Sequence, residues 1–175
     1  SAAAQRPKTP YDECARWDAK ESGYLEDGRG ENKPADYLPR IDAANQLRRA
    51  ADLRRFLDRL KAIPAVQLSA EDRVNAAVLR TILENSIADA RFREWEMPLN
   101  SDSNFWTYLD GSQPYEGAAE YRRYIARMRD IPRYFDEQIA NMRAGLARGF
   151  SVPRMTLEGR DASIAAVPAD DPAKS

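Results

Sequence analysis

The strongest constraint on the fold is an apolar stripe confined between two prolines, Pro39 and Pro64. Ile41, Ala44, Leu47, Ala51, Leu53, Phe56, Leu57 and Leu60 recur mostly three and four residues apart, the spacing of one helix face. Arg48, Asp52, Arg55, Asp58, Arg59 and Lys61 occupy the other side. The stripe predicts a helix from Pro39 or Ile41 to Ile63, stopped by Pro64. Upstream, Thr9-Pro10 followed by Asp12 and Glu13 supplies an N-cap, a proline at the first helical position and first-turn acids. A short helix to Ser22 follows from this, ended by Gly23. Downstream, Ser69 caps a third helix with Asp72 three residues on, in the position of a capping box. Its stripe is Val74, Val78, Ile82, Leu83, Ile87 and Ala90, and its end falls between Trp95 and Pro98.

A fourth helix is expected to start between Pro114 and Glu116, carrying Tyr121, Tyr124, Ile125 and Met128. Pro132 opens a fifth, with Phe135, Ile139, Met142 and Leu146 inward and Gly149 as its stop. Residues 155–167 read as a weaker last helix, and 168–175 as a linker-like end. No strand pattern stands out, and the glycines and prolines between residues 23 and 39 read as an irregular connection. The fold class expected is all-α: an irregular bundle of about five or six helices in antiparallel pairs. Much of the 43% hydrophobic content is alanine and the mean hydropathy is -0.70, so the core is thin. No stretch reaches the roughly 20 apolar residues of a membrane-spanning helix.

Chemistry is bounded most sharply by the absence of histidine. Without imidazole there is no Ser-His-Asp or Cys-His machinery and no histidine-ligated zinc in this chain. The single cysteine, Cys14, excludes an internal disulfide and reads as a small residue packed on a helix. Glycine fingerprints for nucleotides and the G-x-S-x-G elbow are missing as well. Glu71, Asp72 and Glu84 could form an all-carboxylate metal site, but such acids are ordinarily solvated helix-face residues. Catalytic residues and metal ligands are therefore assigned to none.

Arginines 122, 123, 127, 129, 133, 143 and 148 interleave with Tyr121, Tyr124 and Tyr134, a mixture that can hold nucleic acid. A net charge of -1 and a pI near 5.7 argue against that partner. The pairs Glu120–Arg123, Arg133–Glu137, Arg54–Asp58 and Asp89–Arg93 read instead as ordinary surface ion pairs along helices. The best candidate for a binding surface is the aromatic group Phe105, Trp106 and Tyr108, joined by Tyr115, in a polar segment. Such aromatics either plug into the helices beneath or form a lip for a ligand. A thin, alanine-rich bundle favours the plug.

Two stretches form a pattern beyond generic helix. One runs from Leu68-Ser69-Ala70-Glu71-Asp72-Arg73-Val74 through Leu79-Arg80 to Arg91-Phe92. The other runs from Tyr121-Arg122-Arg123-Tyr124 through Ile131-Pro132-Arg133-Tyr134-Phe135 to Gly145-Leu146-Ala147-Arg148-Gly149-Phe150-Ser151-Val152-Pro153-Arg154. Together with Gly23-Tyr24 and Asp36-Tyr37-Leu38-Pro39-Arg40, they resemble the N-terminal part of the bacterial domain-of-unknown-function 885 family, from about Gly23 to Arg160. The resemblance implies a long, mostly helical protein, exported or lipoprotein-like, similar to the gluzincin class of zinc peptidases. It also implies that the zinc-binding H-E-x-x-H motif lies downstream of Ser175, so zinc belongs to the parent protein and no catalytic residue transfers here.

On that reading the chain is a non-catalytic N-terminal helical fragment forming one wall of a substrate cleft. Its partners are then the C-terminal portion of the same protein and a peptide substrate. Ser1-Ala2-Ala3-Ala4-Gln5 fits the remnant of a cleaved signal peptide, pointing to a periplasmic or extracellular location, with a lipoprotein anchor in the precursor. It fits an expression remnant equally. The alternative is a self-contained helical protein-interaction module of the bacterial envelope.

Overall fold

The computed structural model describes residues 10–26, 32–99, 105–106 and 117–162. Within them the protein is all-α apart from one small ribbon, as the periodicity implies. Helix α1 spans Pro10–Glu21 with Asp12 and Glu13 in its first turn, where carboxylates face the positive end of the helix dipole. Gly23 follows with φ 79°, a left-handed turn that glycine adopts without a Cβ penalty. The expected cap at Thr9 lies outside the described residues.

The connection between residues 23 and 39 is more ordered than its composition implies. Strands β1 (Tyr24–Glu26) and β2 (Asn32–Pro34) pair antiparallel, Leu25 opposite Lys33. Three-residue strands are too short to display an alternating pattern, so periodicity could not reveal them. The Asp27-Gly28 dipeptide between them was the available signal, because it favours hairpin turns. After β2 the chain runs as a strap through Ala35, Leu38 and Ile41, all three buried.

Helix α2 spans Ala43–Lys61, starting later than expected. Its start is set by Asp42, whose carboxylate accepts from the Asn45 amide at 3.1 Å; Ile41 belongs to the strap. Burial on α2 starts further along than the stripe predicts, since Leu47 is 59% exposed while Ala50, Leu57 and Leu60 are buried. A 3₁₀ turn at Ala65–Gln67 leads to α3, Ala70–Phe92. There Ser69 accepts from the Asp72 amide at 3.0 Å and donates its hydroxyl to the Asp72 carboxylate at 2.7 Å. Helices α2 and α3 close on each other as a hairpin over Leu57, Leu60, Leu79 and Leu83, with Cys14 of α1 sealing one side. Leu53, Phe56, Ala76 and Ile87 pack at its margin. Each leucine so buried stabilises the fold by about 1.5–3 kcal/mol.

The stripe drawn on α3 is only partly inward. Leu83 is 1% exposed, whereas Val74, Val78 and Ile82 are all more than half exposed. The helix carries two apolar rows, and only the one through Ala76, Leu79, Leu83 and Ile87 meets α2. It ends at Phe92 because Arg93 turns left-handed, φ 57°, and a 3₁₀ turn follows at Glu94–Glu96.

Helix α4 spans Ala118–Arg129 and α5 spans Ile131–Ala147, joined through Asp130 with Pro132 in the first turn of α5. The residues expected to open α4, Pro114 to Glu116, lie outside the described set. The inward face of α5 is Gln138, Asn141 and Gly145, not the apolar row expected there; Ile139 and Leu146 are exposed, Phe135 and Met142 half-buried. Asn141 turns inward because the buried Ile41 carbonyl of the strap needs a polar partner, Gln138 bonds the Tyr134 hydroxyl, and Gly145 lies against the Glu94–Glu96 turn. In place of the expected helix over residues 155–167 there is a 3₁₀ turn at Arg154–Thr156 and turns to residue 161. Residues 163–175, including the linker-like end, lie outside the described set. Among the described residues no helix is long and apolar enough to cross a membrane.

Candidate functional site

Helix α5 organises the region around the aromatic candidates. Phe105 sits in a turn, half-buried, with its ring edge-on to Phe135 at 5.1 Å and to Tyr134 at 6.1 Å. Trp106 meets Phe105 edge-on at 5.0 Å. Such tilted pairs contribute about 0.5–1.5 kcal/mol each beyond the area they bury. Phe105 is thus plugged onto α5, and both residues of the pair are half-buried. The Tyr134 hydroxyl accepts from the Gln138 side-chain amide at 3.2 Å, which fixes the phenol that Phe105 leans on. Tyr108 and Tyr115 lie outside the described residues.

Beside this group, the same helix grips the strap through a charged clamp. The Arg133 guanidinium donates to the carbonyls of Leu38 at 2.9 Å and Pro39 at 3.2 Å. It also donates to the Asp130 carboxylate at 2.7 Å and pairs with Glu137 at 2.9 Å. The two carboxylates complete the circuit: Asp130 accepts from the Leu38 amide and Glu137 from the Ile41 amide, each at 2.8 Å. One turn on, the buried Asn141 amide donates to the Ile41 carbonyl at 2.8 Å. Arg40 adds a longer contact to Glu137 at 3.3 Å.

The planar five-donor fork of arginine is what allows one side chain to serve two carbonyls and two carboxylates. The guanidinium hydrogen bond holds the Asp130 carboxyl below the ordinary carboxylate range, and the same contact raises Arg133 above its ordinary value. The residue pair Arg133–Glu137, expected as an ordinary surface ion pair, is therefore a half-buried joint between distant parts of the chain. With its donors and acceptors engaged in holding backbone, the clamp is a positioning device. It brings together the two motifs Asp36-Tyr37-Leu38-Pro39-Arg40 and Ile131-Pro132-Arg133-Tyr134-Phe135.

A second joint closes the far end of α5. Glu96, 4% exposed, receives both Arg93 and Arg148, and Arg148 also donates to the Phe92 carbonyl at 2.8 Å and stacks on Phe150. The left-handed turn at Arg93 swings its side chain to Glu96, which corrects the expected pairing with Asp89. Glu120–Arg123 is present at 3.6 Å.

The acids weighed as metal ligands have helix roles: Glu84 pairs with Lys61 at 3.0 Å and Asp72 accepts from Ser69. Among the described residues no group of three His, Cys, Asp or Glu side chains converges. The Cys14 thiol is buried and pushed up by that burial, which suppresses the reactive thiolate. One cavity that sequence reasoning missed, of about 630 Å³, opens between α1, α2 and α3. Tyr11, Leu60, Ile63 and Leu79 line it, with Asp12 and Asp72 among the polar groups. Both acids sit in first turns of their helices, where the dipole already accounts for them.

The described residues define an all-α protein in which an α2–α3 hairpin and a strap-gripping α5 carry an aromatic plug. The chain belongs to the DUF885 family of bacterial proteins of unknown function, whose family model matches residues 19–175. Neither curated proteins nor solved structures give a significant match.

Proposed function

We propose that this chain is the N-terminal helical part of a zinc-metallopeptidase-like protein of the bacterial envelope, supplying one wall of a substrate cleft and no catalytic group. The observation that carries the reading is the apolar row of α5. Phe105 covers Phe135 at one end, while Ile139 and Leu146, the latter 68% exposed, stay open at the other. An apolar row that begins in an aromatic plug and continues into solvent suits the flank of a groove for an extended peptide. Phe105 and Trp106, with Tyr108 and Tyr115 of the same segment, are the side chains proposed to meet that peptide. The clamp serves this role by fixing the pitch of α5 against the strap.

Zinc does not fit the residues of this chain. It has no histidine and one cysteine, and that thiol is buried between helices. The metal, its ligands and the general base are proposed to belong to the remainder of the parent protein, held periplasmic or extracellular.

The test compares this chain with the same protein extended along its gene. The extended protein is expected to bind zinc and cleave peptides, with both properties lost on chelation, while this chain does neither. Stoichiometric zinc binding or metal-dependent cleavage by this chain alone overturns the assignment. So does an extended reading frame without an H-E-x-x-H helix.

A further inference from the structure

Two exposed helix faces carry opposite charge. On α3, Glu71, Val74, Val78, Ile82, Asp89 and Phe92 fall along one row by helical spacing. Val74 is 62% and Phe92 65% exposed, and Val78 and Ile82 are each 54% exposed. This row holds two acids and no base, since Arg73, Arg80 and Arg91 project from the far side of the helix. On α4 the exposed row is Tyr121, Ile125 and Met128, flanked by the exposed Arg122 and Arg129. Glu120 lies round the helix from that row, against Lys33 and Arg123.

Both faces are exposed in the same molecule, so they do not cover each other. Within either face the charges are alike, which disfavours α3 against α3 or α4 against α4; between faces they are opposite. We propose that the chain self-associates heterologously, the acidic apolar face of α3 in one copy seating the basic apolar face of α4 in a second copy. The 12 residues of α4 cover about 18 Å of helix. One such seat falls short of the roughly 1,000 Å² that a specific interface buries. The contact is therefore weak and reversible, and its head-to-tail sense lets further copies add. It uses surfaces apart from the α5 row, so it stands or falls separately from the proposed function.

The experiment is sedimentation velocity of this chain from micromolar to millimolar concentration at low salt, with far-UV circular dichroism to establish that each variant is folded. The wild-type sedimentation coefficient is expected to rise with concentration and to fall back as salt is added. Glu71→Arg with Asp89→Arg makes both faces basic, and Arg122→Glu with Arg129→Glu makes both acidic. Each double variant alone is expected to remain monomeric. An equimolar mixture of the two restores opposite charge at every seat and is expected to associate again, as is the variant carrying all four changes. Val78→Glu, at an exposed site, supplies an independent loss on the apolar side of the contact. A wild-type chain monomeric throughout, association by either folded double variant alone, or no recovery on mixing overturns the proposal.

Discussion

Gly145 is where α5 approaches the Glu94–Glu96 turn most closely. A Cβ built there would lie 2.7 Å from the carbonyl oxygens of Glu96 and Phe150 and 3.0 Å from Cβ of Glu96. Two of those three neighbours are backbone atoms, so no side-chain rotamer change relieves the contact. Overpacking of this kind costs about 1–3 kcal/mol, and two simultaneous backbone clashes place Gly145→Ala at the upper end. Against it stands the gain of about 1 kcal/mol from replacing glycine by alanine inside a helix. The net expectation is a loss of about 2 kcal/mol. In urea denaturation followed by circular dichroism this lowers the midpoint by roughly 1 M, for a slope near 2 kcal/mol/M. The control is Ala140→Gly, at an exposed interior position of the same helix, expected to lose about 1 kcal/mol through propensity alone. Alanine is thus favoured at one position and glycine at the other, on the same helix. A Gly145→Ala chain as stable as wild type, or more so, refutes the close approach and with it the seating of α5 on the 94–96 turn.

Three further expectations concern the clamp and the plug. Arg133→Lys cannot serve two carbonyls and two carboxylates with one ammonium, so it should cost about 2–3 kcal/mol and accelerate hydrogen exchange at the Leu38 and Ile41 amides; unchanged protection there contradicts the clamp. Because Arg133 depresses the Asp130 carboxyl, this group's contribution is full above the ordinary value of 3.8 and is lost as pH falls through the lower folded value. Asp130→Asn should therefore flatten the acid limb of stability against pH, and an unaltered limb counts against the assignment. Phe105→Ala removes a half-buried ring from Tyr134 and Phe135 and should cost about 2 kcal/mol with a shift in Trp106 fluorescence; a neutral result means the ring is not seated on α5.

Local punctuation made much of the fold readable. Pro10, Pro64, Ser69 and Gly149 each act within a few residues, and the helices they bound lie close to where they predict. Periodicity was less informative about direction. It found the rows on α3 and α5 but could not tell which row faces a neighbour, because that depends on what the neighbour offers. A leucine-lined α2 draws in Leu79 and Leu83, whereas the strap's Ile41 carbonyl draws in Asn141. The candidate site divides the same way: Phe105 and Trp106 stand out by composition. Their seat on Tyr134 and Phe135, and the tie from Leu38 to Asp130, join residues remote in sequence, which spacing does not encode.

That remoteness sets an order of assembly during synthesis. The α1–α2–α3 core is made of neighbours and can close as soon as residue 92 is available. The strap, translated before α2, must wait for its anchor, since Leu38 and Asp130 are 92 residues apart. At about 5–20 residues per second, the stretch from Phe92 to Asp130 leaves Leu38 undocked for roughly 2–8 seconds while the hairpin beside it is already folded.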